Sequence, residues 1–305
     1  MLRFGRRLQS TLAPLKANRL VVTKTKTPKP LLPNKELVFG KTFTDHMLTV
    51  QHDISQGWSD PQIQPYGKIS LDPSATVFHY GVECFEGMKA YKDKQGKIRL
   101  FRPDMNMKRL QRSCSRFALP SFDERELLEC IKALMKLDAR WIPAERGYSL
   151  YIRPTVIATQ ESLGVGQSSK SLLFVICSPV GPYYKTGFAA VSLLADPTNI
   201  RAWPGGCGDY KVGGNYAPGI LPQIKAANEG FQQNLWLFPQ ITKQGKVEHM
   251  LTEVGTMNLF IFWKNKEGRT ELVTPPLDGT ILPGVTRDCI LQLTRKWGEF
   301  DVKCV

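Results

Sequence analysis

The chain has 305 residues with 42% hydrophobic, 10% aromatic and 22% charged side chains, which fits a folded protein of about two domains of ~150 residues and excludes a short peptide, a fibrous protein and a disordered chain. The net charge of +14 raises the question of a nucleic-acid partner. Nine of the 41 basic residues, however, lie in residues 1–35, which contain no acid, so the rest of the chain has 32 basic against 27 acidic residues. Nucleic acid is therefore not predicted as a partner.

The first residues, MLRFGRRLQSTLA, combine arginines with leucines and hydroxyl side chains. This mixture is typical of a mitochondrial transit peptide, and an unstructured basic tail is the alternative. The Lys/Pro-rich stretch that follows predicts a linker, so transit peptide and linker together occupy residues 1–35. The predicted location is the mitochondrial matrix. Because no apolar run is long enough to cross a bilayer, a membrane partner is not predicted.

The next part of the chain, residues 36–179, predicts an N-terminal α/β domain. Short alternating stretches over 77–100 predict a meander of strands. Two helices follow, one over 106–117 and one over ELLECIKALMKL, where Ser121 and Glu124 form a capping box. Further strands are predicted over 148–157 and 171–177.

Residues 180–188 predict a connector between domains, because prolines and glycines are frequent there. Beyond it, a C-terminal domain over 189–305 mixes strands and helices around a glycine-dense loop. A polar stretch over 239–250 predicts a surface hairpin, and the last helix is predicted from Val285 to Trp297 with Gly298 as its cap. The fold class is therefore α/β (mixed α+β) with two domains.

The cysteines and histidines do not form a metal-binding pattern. Seven cysteines are scattered without a CxxC spacing, and the chain has four histidines. A zinc site needs closer clustering, so no metal is predicted and the cysteines are expected to be thiols, several of them buried.

The most informative segment for chemistry is RAWPGGCGDYKVGGNYAP, where glycines surround Lys211. Glycine lets the backbone approach a ligand closely, and a lysine there could form a Schiff base with a carbonyl compound. A solvated lysine on a flexible loop is the alternative. Tyr216 is equally open, either as a phenol donor in a site or as a packing residue.

Other candidates are polar residues beside strands and helix ends. Glu253, with Thr256, precedes an apolar strand and could pair with a cationic ring nitrogen, or be an ordinary turn acid. Gly284 precedes a helix start, where free N–H groups favour an anion. Arg109 and Arg153 are candidate anion-binding side chains, although most arginines are solvent-exposed charges.

Eight motifs in order carry a resemblance: FGKTFTDHML, FHYGVECFEGMKAY, LFRPDMNMKRL, SLYIRPTVI, LGVG, RAWPGGCGDYKVGGNYAP, LTEVGTMN and LVTPPLDGTILPGVTR. Together they resemble the branched-chain amino acid aminotransferases, pyridoxal-phosphate (PLP) enzymes of fold type IV, with the mitochondrial eukaryotic form the most similar. The resemblance covers about residues 36–301. It implies transamination of leucine, isoleucine and valine with 2-oxoglutarate.

The resemblance also implies roles for the candidate residues. Lys211 matches the lysine that binds PLP and moves the proton, and Glu253 matches the carboxylate on the pyridine nitrogen. Tyr216 matches the phenol beside the ring oxygen. The phosphate-binding positions match Arg109 and the helix start at Val285 and Thr286, and Thr256 matches a residue close to the ring or phosphate.

For the substrate, the resemblance implies an apolar pocket that also accepts glutamate, and a homodimer whose interface lies near the site. Arg153 matches the arginine that meets the glutamate carboxylate. The residues that match the apolar wall are Phe39, Tyr80, Phe85, Tyr151 and Val165.

The sequence departs from the family pattern in the 239–250 extension and after WGEFDVK, where the chain ends at Val305 without the family's last segment. The second domain is therefore expected to be incomplete, as in a truncated form, and PLP binding to be weakened. A non-catalytic subunit that dimerises with a complete enzyme, or another fold type IV PLP enzyme, are the alternatives.

Overall fold

A computed structural model of the chain describes residues 12–182 and 189–305, which form two compact units. Most of the predicted connector, residues 183–188, lies outside the described residues. Two short segments of the N-terminal half belong to the second unit. Unit 1 comprises the chain up to Glu83, Gly87–Met107 and Phe117–Gly181, and unit 2 comprises Cys84–Glu86, Lys108–Arg116 and Pro182–Val305.

Unit 1 is built on a sheet with the strand order β1-β4-β2-β9-β8-β6-β7, in which β3 pairs with the end of β2. All of these pairs are antiparallel except β1 with β4. The strands of this unit are β1 Val21–Val22, β2 His46–Asp53, β3 Gly57–Trp58, β4 Gln62–Pro65, β6 Met88–Lys92, β7 Ile98–Leu100, β8 Ser149–Ala158 and β9 Lys170–Val180, and its helices are α1 Thr76–Tyr80 and α3 Glu124–Leu137. Two elements belong only in part to unit 1, because strand β5 Glu83–Phe85 and helix α2 Pro103–Arg116 continue into the segments of unit 2 that begin at Cys84 and Lys108.

Helix α3 has the predicted amphipathic pattern, but a different residue caps it. The side chain of Asp123 accepts hydrogen bonds from Arg125 N at 2.9 Å and Glu126 N at 3.4 Å. The expected capping box of Ser121 and Glu124 is therefore wrong by two positions. The apolar spacing predicts a buried face of Leu127, Leu128, Ile131, Leu134 and Met135, and four of these five are in the core. Leu128 is only partly buried, and Cys130 is buried instead.

The predicted strand meander over 77–100 is wrong at its start. Thr76–Tyr80 forms the short helix α1, which ends at Gly81 with φ +58°. The β-branched and aromatic residues there favour a strand locally, but the backbone N–H of Thr76 donates to Gln160 O at 3.0 Å, and Gly81 supplies the left-handed end. Tertiary contacts thus override the local preference.

The stretch expected to be an unfolded linker up to Lys35 packs against unit 1. Leu15 is 1% exposed, and Val21–Val22 forms the parallel strand beside β4. Ala13 bridges Gly57, where a Cβ atom would lie 2.4 Å from Ala13 O. Glycine at position 57 therefore makes room for this segment, and the folded part begins well before Glu36.

Unit 2 contains two small sheets, ordered β10-β11-β12-β13 and β14-β15-β16. In each, one parallel pair is joined through a helix, β10 to β11 through α4 and β15 to β16 through α5, as parallel strands require. The elements are β10 Leu193–Asp196, α4 Ile220–Asn228, β11 Gln233–Ile241, β12 Val247–Val254, β13 Met257–Asn258, β14 Ile261–Lys264, β15 Thr270–Thr274, α5 Val285–Trp297 and β16 Asp301–Cys304.

Two expectations for unit 2 are confirmed. The 239–250 stretch is a hairpin, because Pro239 pairs with His249 and Ile241 with Val247 on antiparallel β11 and β12. Helix α5 has the predicted bounds, with Gly298 at φ +70° as its C-cap.

Throughout the described residues the cysteines are thiols, four of them buried, and no helix there is long and apolar enough to span a bilayer.

Candidate active site

The backbone of Lys211 is held from two sides within unit 2. Its N–H donates to Ser113 Oγ of α2 at 2.9 Å, and its carbonyl accepts from the N–H of Phe85 at 3.0 Å. The next residue, Val212, forms a β-bridge with Cys84. Because Ser113, Cys84 and Val212 are each at most 1% exposed, the lysine is fixed at its backbone.

The side chain of Lys211 points toward two aromatic rings. Its Nζ donates to the Tyr216 hydroxyl at 3.0 Å and lies 4.7 Å from the centroid of the Phe85 ring. The Phe85 and Tyr216 ring centroids are 5.1 Å apart. Burial raises the pKa of Tyr216 to about 12, so the phenol keeps its proton at neutral pH and can donate it in a hydrogen bond. The structure thus brings together three of the predicted residues.

The glycine-dense loop before Lys211 is tightly folded rather than flexible. A Cβ atom at Gly208 would lie 2.4 Å from Ala202 Cβ, so only glycine fits there. The side-chain amide of Asn215 donates to Cys207 O at 2.6 Å and to Tyr210 O at 2.8 Å. These bonds satisfy the loop's carbonyls and fix the position from which the lysine projects.

Glu253 lies on β12 and is 2% exposed. Its Oε1 accepts hydrogen bonds from Asn258 Nδ2 at 2.9 Å and from Leu282 N at 3.1 Å. Its Oε2 lies 2.8 Å from Arg201 Nη2 in an ion pair, and Oε2 is a buried atom that accepts no hydrogen bond among the described residues. Burial raises the pKa of Glu253, and the charge of Arg201 opposes that rise.

Arg109 on α2 has a largely buried guanidinium close to a helix start, with its side chain 11% exposed. It forms a bidentate ion pair with Glu86, with Nε to Oε1 at 2.6 Å and Nη2 to Oε2 at 2.9 Å, and Glu86 is 0% exposed. Its Nη1 donates to Pro283 O at 3.0 Å, just before α5 begins at Val285. The geometry therefore places a fixed cation beside the predicted anion site.

The N-terminus of α5 has no side-chain cap. Gly284 is its N-cap residue, so the N–H groups of Val285 and Thr286 have no partner within the helix and carry the positive end of the helix dipole. A Cβ atom at Gly284 would lie 2.0 Å from Asn258 Oδ1. The same asparagine donates to Leu282 O at 2.8 Å, so it links this loop to Glu253.

A cavity of about 530 Å³ in unit 2 lies next to these groups, which is an ordinary size for a small-molecule pocket. Tyr216, Arg201 and Thr256 line it, together with apolar residues such as Trp236 and Ile220. Lys211 and Glu253 are not among the lining residues, but Tyr216 and Arg201, which contact them, are.

The residues present fit a phosphorylated pyridine aldehyde. The site offers an amine at Lys211, a buried acceptor at Glu253 Oε2 that lacks a hydrogen bond, and an arginine beside an uncapped helix end for a phosphate. A protonated ring nitrogen is the donor that Oε2 lacks. No group of residues that could hold a metal occurs in the described parts of the chain.

The predicted substrate residues are divided between the two units. Phe85 lies in unit 2, and the other five lie in unit 1. Phe39 packs edge-to-face on Tyr151 with centroids 5.0 Å apart, and Arg153 Nη2 donates to the Tyr151 hydroxyl at 3.0 Å. Tyr80 and Val165 lie elsewhere in unit 1, 43% and 84% exposed.

Three residues that complete the geometry were not predicted from the sequence, namely Arg201, Asn258 and Glu86. Each stands inside one of the eight motifs. A signal was present for Glu86, since an acid within the apolar segment VECFEGM is unusual unless it is paired. Arg201 and Asn258 gave no such signal. Their partner Glu253 is far along the chain from Arg201 and lies on a different strand from Asn258.

Comparison with known proteins defines the class. The sequence model of the amino-transferase class IV family matches residues 83–304, well over half of the chain. Among solved structures, the branched-chain amino acid aminotransferase of Escherichia coli is similar with a TM-score of 0.62 and 25% identity, covering 79% of this chain and 74% of that one. The enzyme of Thermobaculum terrenum in its PLP form has the same fold, with a TM-score of 0.63, 21% identity and coverage of 85% and 76%.

The curated relatives identify one family within the class IV aminotransferases. The branched-chain-amino-acid aminotransferase of Monosiga brevicollis is 57% identical over 95% of this chain and 73% of its own length. The cytosolic and mitochondrial forms of Saccharomyces cerevisiae are 56% and 55% identical, covering 94% and 96% of this chain and 74% and 73% of theirs. The chain therefore belongs to the branched-chain-amino-acid aminotransferase family, and its predicted fold and class are confirmed.

Proposed function

We propose that this chain transfers the amino group between leucine, isoleucine or valine and 2-oxoglutarate, giving branched-chain 2-oxo acids and glutamate, with PLP as cofactor. The observation that carries the proposal is the joint arrangement of Lys211, Tyr216 and Glu253 in a chain 57% identical to an aminotransferase of this name. The structural neighbour solved in its PLP form supports the cofactor.

Each group of the site has a separate task in this proposal. Lys211 Nζ binds the cofactor and then moves the proton to and from the substrate's Cα. Glu253 Oε2 would hold the ring nitrogen, and the Tyr216 hydroxyl would donate to the ring oxygen. Bound PLP supplies an electron-withdrawing ring that stabilises negative charge at Cα.

The phosphate is held at the start of α5. Arg109 supplies a fixed positive charge, because Glu86 and Pro283 O orient its guanidinium. The N–H groups of Val285 and Thr286 donate to the same phosphate. Thr256, on the wall of the cavity that Tyr216 also lines, would lie close to the ring or the phosphate.

The family resemblance supports substrate roles for Phe85 of unit 2 and, separately, for a group of residues within unit 1. The packed rings of Phe39 and Tyr151 offer an apolar surface for a branched side chain. Arg153, directed to the Tyr151 hydroxyl, supplies the counter-charge for the second carboxylate of glutamate. Tyr80 and Val165, which are exposed in unit 1, are proposed to reach the apolar wall at the dimer interface.

We propose a homodimer in which the surface around Tyr80 and Val165 contacts the second copy. Leu163 and Val165 are 64% and 84% exposed, and the Tyr80 hydroxyl donates to Leu163 O, so exposed apolar residues are concentrated in this part of the chain. Light scattering of the purified chain tests this. A monomer at micromolar concentration, or a dimer unaffected by Val165→Glu, would contradict it.

We propose the mitochondrial matrix as the location, on the strength of the basic leader. Family membership leaves this open, since both cytosolic and mitochondrial relatives match. The buried Leu15 supports a cleavage point before Ala13, because removal of later residues would take away part of unit 1. Fluorescent fusions with and without residues 1–12 test it, and an unchanged location without those residues would refute it.

The decisive experiment for the function is a donor profile of the purified 305-residue chain with PLP and 2-oxoglutarate. Leucine, isoleucine and valine are expected to react at least about tenfold faster than alanine or any D-amino acid, since each buried methylene contributes ~0.8 kcal/mol. A preference for D-alanine would indicate another PLP enzyme of the same fold. No turnover together with no visible cofactor absorption would support the non-catalytic alternative.

A further inference from the structure

Arg201 is a buried arginine whose charge is directed at the predicted cofactor-binding acid. Its side chain is 7% exposed, and its Nη2 lies 2.8 Å from Glu253 Oε2. Its Nη1 donates to Thr280 O at 3.2 Å, which fixes the guanidinium plane. A guanidinium keeps its charge at any ordinary pH, so this is a permanent cation beside one carboxylate oxygen.

The other oxygen of Glu253 is held in place. Oε1 accepts from Asn258 Nδ2 and from Leu282 N, which prevents the carboxylate from turning. Oε2 is the oxygen that faces Arg201, and it accepts no hydrogen bond within the described parts of the chain. The two oxygens thus have different tasks, one of anchoring and one of binding.

We propose that Arg201 is a positioning residue that acts through Glu253 and keeps the proton of the shared Glu253–cofactor contact on the ring nitrogen. This rests on the proposed binding of the ring at Glu253. The contact contains a single proton with two places to reside, Oε2 of the acid or the ring nitrogen. Moving it between them changes neither the number of protons nor the net charge.

Arg201 decides between these two arrangements by electrostatics. In a buried site, loss of solvation favours the neutral acid beside a neutral ring over a carboxylate beside a ring cation. A fixed positive charge 2.8 Å from Oε2 favours the carboxylate. Glu253 shows both influences, because burial raises its pKa while Arg201 lowers it. Without the arginine, burial acts alone and the proton moves toward the acid.

The test is the nitrogen-15 NMR shift of the ring nitrogen in protein loaded with ring-labelled PLP. In the unchanged protein the shift is expected to be that of a protonated pyridine. In Arg201→Gln it should move by more than half of the way to the unprotonated value, and kcat should fall about 10²-fold with KM changed less than about threefold, as for loss of one electrostatic group. Arg201→Lys, which keeps the charge, should restore most of the shift.

Arg287→Gln is the matched control. Arg287 is also a buried arginine of unit 2, 5% exposed, and its hydrogen bonds among the described residues go to Pro275 O and Cys304 Sγ. Its replacement should lower the melting temperature and leave the nitrogen shift unchanged. A shift in Arg287→Gln as large as in Arg201→Gln would assign the effect to lost packing and overturn the proposal.

Arg201→His provides an independent test in case the Arg201→Gln variant does not fold. Its imidazole is charged at about pH 5.5 and neutral at about pH 8.5, so the ring nitrogen should be protonated at the lower pH and substantially unprotonated at the higher one. The unchanged protein should be protonated at both. An identical protonated shift at both pH values in Arg201→His overturns the proposal. If the cofactor does not bind to Lys211 at all, the proposed function fails instead.

Discussion

Alanine in place of Lys211 is expected to lower kcat for leucine with 2-oxoglutarate by at least about 10⁴-fold, because one side chain supplies both the covalent attachment and the proton transfer. The remaining groups are intact in this variant. Glu253, Tyr216 and the phosphate site do not depend on the lysine for their backbone positions, so PLP should still bind without the covalent link. Loss of the visible absorption of lysine-bound PLP, measured beside the rate, separates loss of chemistry from loss of binding.

Lys225→Ala is the control for this prediction. Lys225 is an exposed lysine in the last turn of α4, so its loss removes the same charge from unit 2 without touching the site. Its kcat should remain within about twofold of the unchanged chain, as for most surface substitutions. A Lys211→Ala protein that keeps more than a hundredth of the activity would show that another amine binds the cofactor and transfers the proton.

Glutamine in place of Glu253 is expected to lower kcat by about 10²–10³-fold, the usual loss when one preorganised electrostatic partner of a reacting group is removed. Glutamine has nearly the same shape but cannot carry the negative charge that a protonated ring nitrogen needs. The KM for leucine should change little, because Glu253 is proposed to contact the cofactor and not the substrate. Steady-state kinetics with saturating PLP measures both quantities.

This substitution also leaves Arg201 as a buried charge without its partner, which typically costs about 3–5 kcal/mol of stability. Thermal unfolding must therefore accompany the kinetics. Glu253→Asp keeps the charge, and Glu229→Gln, at the exposed end of α4, removes an acid remote from the site. If the aspartate variant were as slow as the glutamine variant while both stay folded, distance and not charge would be the decisive property.

The fold was predictable where a local pattern and the tertiary structure agree. Helices α3 and α5 follow from apolar spacing and from Gly298, and the 239–250 hairpin follows from its polarity. The prediction fails at Thr76–Tyr80, where strand-forming residues adopt a helix, and at Leu15, which is buried in a basic N-terminal segment expected to be a leader and linker. In both cases distant hydrogen bonds or packing decide the outcome.

The site was predictable to the extent that its residues stand in compact motifs. Lys211 and Tyr216 are five positions apart on one loop, and the structure places their functional atoms 3.0 Å apart. The ion pairs Arg201–Glu253 and Arg109–Glu86 join residues that no periodicity connects, so only coordinates reveal them. The roles of Thr256 and Val165 stay predictions.

The close approach of Gly284 to Asn258 has an evolutionary consequence. Any side chain at position 284 would collide with the amide that anchors Glu253, and a bulkier residue at 258 would press on the turn that opens the phosphate site. A substitution at either position alone would disturb both the contact proposed for the ring nitrogen and the proposed phosphate site. Across the lineage of this enzyme the two positions should therefore covary or remain fixed together, even where the surrounding loops diverge.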